Sequence, residues 1–362
     1  MKILLVATPV GTLQSGQVGG VGLNICNIAK ELLQRGHDLT ILAPQGSQVA
    51  DLPIQEIAGE FQSSAPKQAR DEGIFMPPNA VVANLWDRAF LTQADYHIIV
   101  NFAYDWLPLY IAPFFVTPVL HYINMSSWLV AMEEGIERIA SLKPGTLGVH
   151  TQAQAETFPH PAVFRILGGG IEVERYHFQP NPGEDLAWAG RISPEKGLED
   201  AIAAAEITGK QLQIFGYIQD KSYWEGLHAR YPKAKLVYRG FLPTAEFQQA
   251  LGQCQGLLMT HKWVEALGRV ALESLACGVP IITYRRGGPG EIVQDGVSGF
   301  LVEPDSLLGL TAAIAQLPQI DRHHCRQRAE QDYSLAALGD RLERWFFDIL
   351  HPQNVSVLSD PS

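Results

Sequence analysis

The stretch KWVEALGRVALESLACGVPIITY, residues 262–284, narrows the fold more than any other part of this chain. Gly268 opens an apolar segment of helical periodicity, about three turns long. The segment stops at Gly278 and Pro280, and the β-branched run Ile281–Thr283 follows as a strand, an order that belongs to an α/β protein. A glycine at the helix mouth lets backbone approach a ligand closely, and the unbonded N–H groups of a first turn make a seat for phosphate. Glu273 lies in the second turn, too deep to cap the helix, where its carboxylate suits a hydroxyl-rich group such as a ribose. An ordinary helix with Glu265 and Glu273 facing water fits the same pattern.

The remainder of the chain sets outer bounds. Its 362 residues, 46% of them hydrophobic, suffice for two α/β domains with sizeable cores. A formal charge of −11 argues against a nucleic-acid partner and against attraction to an anionic membrane. Cys26, Cys254, Cys277 and Cys325 have no ligand-like spacing and read as buried thiols in a reducing cytoplasm. The opening MKILLVATPV reads as a strand rather than a signal peptide, and no segment approaches membrane-span length.

The first half begins with a strand at Lys2–Val10, a loop carrying Gly19 and Gly20, a helix at about Leu23–Gln34 and a strand at Asp38–Ala43. That unit puts the loop at the carboxyl edge of a parallel sheet, where ligands bind. It is not a dinucleotide fingerprint: the third glycine and the acid closing the second strand are both missing, which argues against a nicotinamide dehydrogenase. Residues 51–80 read as an irregular excursion. A buried strand at Tyr96–Asn101 leads into FAYDWLPLYIAPFF, whose prolines break any long helix. A strand at Val116–His121 then places His121 at its carboxyl end, before a helix at Ser127–Ser141. Tyr104, Asp105, Met125 and Trp128 form a neighbourhood suited to a flat ligand or to core packing.

Gly168-Gly169-Gly170 and the polar segment after it mark a domain boundary. The expected divisions are 1–172, 183–333, a helix over 334–350 and a loose tail over 351–362. The second half starts with a strand at Leu186–Gly190, followed by Arg191 and Lys196 in a loop at the strand edge. A guanidinium and an ammonium so spaced clamp a diphosphate, or flank a helix cap as solvated charges. Strands at Gln213–Gly216, Lys235–Tyr238 and Gly256–Thr260 follow, and Gly287, Gly288 and Glu291 open another helix at the sheet edge. Ser334–Leu350 is amphipathic, with Trp345 and Phe346 on its apolar side.

GRISPEKG, EALGRVALESLACGVPII and RRGGPGEIVQDGVSGFLV, behind an N-terminal strand and GG loop, together resemble glycosyltransferase family four over essentially the whole chain. The resemblance implies retaining transfer on the GT-B architecture: two facing Rossmann-like domains, a deep cleft between them, and a C-terminal helix crossing back to the first. By resemblance, Arg191 and Lys196 hold the donor diphosphate, Gly268 offers its amide to phosphate, and Glu273 takes the ribose. Glu265 with Ala266 and Leu267 addresses the donor sugar, while Gly240, Phe241 and Leu242 face the base. Gly19, Gly20 and His121 approach the diphosphate and sugar from the first domain. The residues implied at the reacting centre are thus Arg191, Lys196, Glu265 and His121. Leu267 stands where the family often has an aromatic residue, which leaves the donor sugar less defined.

The opening LLVATPVGTLQSGQVGGVGLNICNIAKEL is similar to cyanobacterial members of that family that glucosylate a pterin. This implies UDP-glucose as donor and tetrahydrobiopterin as acceptor, with acceptor contacts from Asn101, Tyr104, Asp105, His121, Met125 and Trp128. Sugar, sugar-phosphate and lipid acceptors remain alternatives, as does a non-catalytic nucleotide-sugar-binding protein. The sequence holds no Asp-x-Asp pair, so neither a metal nor another cofactor is expected. Charge on the departing diphosphate falls to Arg191, Lys196 and the amides at Gly268.

Overall fold

In the computed structural model of the protein, residues 1–14, 20–63, 65 and 68–352 are described. The chain forms two units, Met1–Gly170 with Leu335–Ser362, and Ile171–Ser334.

The first unit is built on seven parallel strands: β1 (Lys2–Val6), β2 (Asp38–Pro44), β3 (Ile54–Ile57), β4 (Ile98–Asn101), β5 (Val119–Ile123), β6 (Leu147–Val149) and β7 (Phe164–Ile166). Their order across the sheet is β3-β2-β1-β4-β5-β6-β7. Helices α1 (Gly20–Gln34), α2 (Val81–Thr92), α3 (Trp106–Ile111), α4 (Val130–Leu142) and α5 (Gln152–Ala155) connect them. Apolar runs such as KILLV reflect a sheet covered on both faces. Leu4 and Val6 belong to one core and Ile3 and Leu5 to the other. The chain's last helix, Leu335–Leu350, returns to this unit and buries Leu338, Leu342, Trp345 and Phe346 in the second of these cores. Residues 353–362, most of the expected tail, lie outside the described residues.

The second unit has six parallel strands: β8 (Leu186–Ala189), β9 (Gln211–Phe215), β10 (Lys235–Gly240), β11 (Gly256–Met259), β12 (Ile281–Tyr284) and β13 (Gly299–Val302), in the order β10-β9-β8-β11-β12-β13. Its helices are α6 (Leu198–Thr208), α7 (Lys221–Arg230), α8 (Thr244–Gly252), α9 (Arg269–Ala276), α10 (Gly287–Ile292), α11 (Leu307–Gln316) and α12 (Arg322–Asp332). Both sheets reverse their winding once, between β1 and β4 in the first unit and between β8 and β11 in the second. The carboxyl ends of strands at such a reversal form the crevice where ligands of doubly wound sheets bind.

Several local readings need correction. Residues 51–80 contain the edge strand β3, which the sequence hides because its side chains are mostly half-exposed. Segment 171–182 looks polar, yet Ile171, Val173 and Tyr176 are buried in the core of the second unit. Helix α4 starts at Val130 rather than Ser127. Helix α9 runs about two turns, not three. It stops in a Schellman arrangement, with Val279 N–H donating to Ser274 O at 2.8 Å and Gly278 N–H to Leu275 O at 2.9 Å.

Candidate functional site

At the reversal point of the second unit, the loops after β8 and β11 lie against each other. Gly197 has φ +65, and a Cβ there would stand 1.9 Å from Thr260 O, so this contact requires glycine. Thr260 Oγ1 donates to Gly197 O at 2.7 Å, and Lys262 N–H donates to Glu195 O at 2.8 Å. The β8 loop thereby presents both of its cations. Arg191 donates to Gln219 Oε1 at 2.7 Å and lies 3.4 Å from Glu195. Lys196 Nζ donates to Glu265 Oε2 and sits 4.8 Å from the centroid of the Trp263 ring.

Glu265 is the acid of the β11 loop. Burial pushes its carboxyl upward, but Lys196, His261 and the Trp263 indole, which donates to Oε2 at 3.1 Å, outweigh burial and hold it below the usual carboxylate range. Its backbone is fixed by the first residues of α10. Gly288 N–H donates to Glu265 O at 2.7 Å. A Cβ on Gly287 would meet Glu265 N and O at 2.7 Å, and one on Gly288 would meet Ala266 O at 2.6 Å. His261 and Arg286 add a reciprocal brace. His261 Nε2 donates to Arg286 O at 2.7 Å, and Arg286 Nη1 donates to His261 O at 3.0 Å. Asp305 holds the Arg286 guanidinium at 2.8 Å.

Gly268 enters α9 in the left-handed region, φ 76 and ψ 63. A Cβ there would stand 2.5 Å from Pro289 Cγ. The first-turn amides of Arg269 and Val270 have no acceptor inside the helix and point out of its mouth. Glu273 sits one turn further in and is buried. Its Oε1 accepts from Tyr176 Oη at 3.2 Å and lies 3.5 Å from Arg269 Nε. Burial raises its carboxyl above the usual range, with Arg269 and Tyr176 pulling the other way. Gly240 closes β10 at φ +70, Phe241 is 65% exposed, and Leu242 packs against the core. The loops after β8 and β11, with helix α9 behind the latter, thus bring Arg191, Lys196, Glu265, Gly268 and Glu273 to one edge of one sheet. Trp263, Arg286 and Asp305 went unread in the sequence because their partners lie in other loops.

In the first unit the candidates divide. Tyr104 Oη accepts from the Trp128 backbone N–H at 3.1 Å, and Trp128 Nε1 donates to Gln68 O at 3.2 Å, so the segments after β4 and β5 are joined at the carboxyl edge through the Trp128 backbone. Met125 is half-buried beside them in sequence, its carbonyl taken by Gln154. Asp105 is the N-cap of α3: its Oδ1 accepts from Leu107 N–H at 3.0 Å, and burial raises its carboxyl. His121 lies within β5, not at its end, because the strand runs two residues further than its sequence suggests. It is 0% exposed, and burial lowers its imidazole to about 3. Asn101, also fully buried, donates to His121 Nδ1 at 3.2 Å, which leaves the proton on Nε2 of a neutral ring. His121 and Asn101 are therefore interior groups. Gly20 is the exposed first residue of α1, with open space where a Cβ would be, and Gly19 lies outside the described residues.

Residues 174–332 match the model of the family described as Glycosyl transferases group 1. The glycogen synthase of Mycobacterium tuberculosis is 26% identical over 87% of this chain and 88% of its own. The alpha-D-kanosaminyltransferase of Streptomyces kanamyceticus is 30% identical over 47% of this chain and 46% of its own. Among solved structures, AviGT4, a glycosyltransferase of avilamycin A biosynthesis, aligns with TM-score 0.71 at 17% identity, covering 96% of this chain and 98% of its own. Anabaena HepE in complex with UDP and glucose aligns with TM-score 0.70 at 19% identity, covering 95% and 98%. Two parallel-sheet α/β units of this kind constitute the GT-B fold.

Proposed function

We propose that this GT-B chain, a glycosyltransferase of group 1 type using a nucleotide-sugar donor, moves glucose from UDP-glucose to a hydroxyl of a small acceptor with retention of configuration. The observation that carries the reading is the convergence of Arg191, Lys196, Glu265, Gly268 and Glu273 at the winding reversal of the second unit. Arg191 and Lys196 supply positive charge for the diphosphate, and the mouth of α9 supplies amide donors. Glu273, held by Tyr176, accepts from the ribose hydroxyls, and Glu265 accepts from hydroxyls of the sugar. The exposed Phe241 ring offers a face to the base.

In the proposed step the anomeric carbon loses its bond to the diphosphate oxygen and gains one to the acceptor oxygen on the same face. The acceptor's proton passes to the departing phosphate oxygen. Arg191, Lys196 and the α9 amides stabilise the charge that collects there, and such preorganised donors are worth most where charge develops. This assignment of roles calls for no metal.

For the acceptor we propose tetrahydrobiopterin, with the half-buried Trp128 ring offering the stacking surface. Stacking on an aromatic face adds about 1 kcal/mol beyond buried area. His121 is given no part in the chemistry, because it is buried and neutral. The test offers the protein UDP-glucose with tetrahydrobiopterin, plain sugars, sugar phosphates and a lipid extract under reducing conditions. Mass spectrometry is expected to find a hexose on the pterin. Hexosylation of a lipid or sugar phosphate with the pterin untouched would refute the acceptor and keep the donor. Binding of UDP-glucose with no transfer to any of them would favour a non-catalytic binder.

A further inference from the structure

The cation assigned to the donor phosphate and the acid assigned to the donor sugar are bonded to each other. Lys196 Nζ donates to Glu265 Oε2, and the two side chains are only 17% and 20% exposed. Trp263 touches both partners: its indole N–H donates to the same Oε2 at 3.1 Å, and its ring lies beneath the ammonium, 4.8 Å from the centroid. Of the three directions open to an ammonium, one is taken by the carboxylate and another by the ring face. A diphosphate approaching Lys196 therefore meets a carboxylate in its place, and two anions at one ammonium repel.

We propose that Glu265 is an internal stand-in for the donor diphosphate on Lys196, exchanged when the whole donor binds and restored when the sugar has left. The proposal rests on the nucleotide-sugar reading above. With the intact donor, the sugar hydroxyls give Glu265 new partners as Lys196 turns to phosphate, so both groups stay paired. With the nucleoside diphosphate alone, Glu265 keeps the Trp263 indole N–H but its mostly buried charge loses its cation, a costly state. Glu265 then returns to Lys196 and weakens the product's hold. The pair thus makes the site prefer nucleotide sugar over nucleoside diphosphate and speeds release of the latter. Trp263 acts as a positioning residue, keeping the carboxylate within reach of the ammonium.

The test is calorimetry of the full chain and of Glu265→Gln with three probes: UDP, inorganic pyrophosphate and UDP-glucose. Removing the competing charge is expected to tighten UDP and pyrophosphate about tenfold. UDP-glucose should gain nothing, so the preference for sugar nucleotide over product falls about tenfold. Trp263→Phe keeps the ring under Lys196 and removes the donor to Glu265, and it is expected to tighten UDP by about threefold. Unchanged or weaker UDP binding in Glu265→Gln, with the wild type binding all three probes, overturns the exchange and leaves the donor reading intact. Failure of the wild type to bind any of them overturns the donor reading itself. A loosened fold would weaken every probe, so tightening separates exchange from damage.

Discussion

Gly288→Ala tests how the Glu265 loop is held. The added Cβ would stand 2.6 Å from Ala266 O, 2.8 Å from Leu267 Cα and 2.9 Å from Leu267 O, all of them backbone atoms. Restoring ordinary contact at 3.4 Å moves one segment from the other by roughly 0.8 Å. Overpacking of this kind costs about 1–3 kcal/mol. Straining the Gly288-to-Glu265 bond, now 2.7 Å, adds about 1 kcal/mol more. For a unit of this size the sum lowers Tm by on the order of 10 °C. It leaves the unit folded at 25 °C, where domains of this kind retain about 5–15 kcal/mol. A shift approaching 1 Å at a group that orients substrate lowers turnover by about a hundredfold. Scanning calorimetry and the UDP-release assay measure the two effects on one sample. Wild-type Tm together with wild-type turnover would refute the claim that the glycine contact positions Glu265.

Glu273→Gln is expected to weaken UDP much more than inorganic pyrophosphate, and equal weakening would remove its ribose role. The Glu273 carboxyl is raised by burial, so the folded state keeps its proton to higher pH than the unfolded state does. Its stabilising contribution is present below the unfolded value and is lost as pH rises through the folded one. As pH rises above the ordinary carboxylate range, wild-type Tm should therefore fall relative to Glu273→Gln while wild-type UDP affinity rises, and parallel Tm curves would contradict this. Excess chelator should leave UDP-glucose turnover unchanged; its abolition, restored by a divalent cation, would require a metal. Trp128→Ala should raise the acceptor KM severalfold and leave the donor KM alone, whereas equal effects would mark a structural role through its bond to Gln68.

The second unit was the more legible in sequence because its candidate ligand groups sit at punctuated positions. A glycine precedes α9, glutamates stand on either side of the helix mouth, and cations follow the first strand of the sheet. Local chemistry dictates each of these. What stayed hidden depended on contacts between distant segments. Trp263 gains meaning only beside Lys196, and Arg286 only beside Asp305 and His261. In the first unit, boundaries misled. A strand end misread by two residues turned the interior His121 into an edge residue, and an acid before an aromatic run looked like a ligand handle although it caps α3. The half-exposed strand β3 has no alternation strong enough to read.

The central claim is that the carboxyl edge of the second unit carries the diphosphate of a nucleotide sugar on Arg191 and Lys196. Release of UDP from UDP-glucose, followed with acceptor present for the wild type, Arg191→Ala and Lys196→Ala, measures this directly. Each variant is expected to lose about a hundredfold in kcat; Arg191→Ala should melt within a few degrees of the wild type, whereas Lys196→Ala, which strands the Glu265 carboxylate, should melt lower by on the order of 10 °C. Wild-type release rates in both variants would contradict the account.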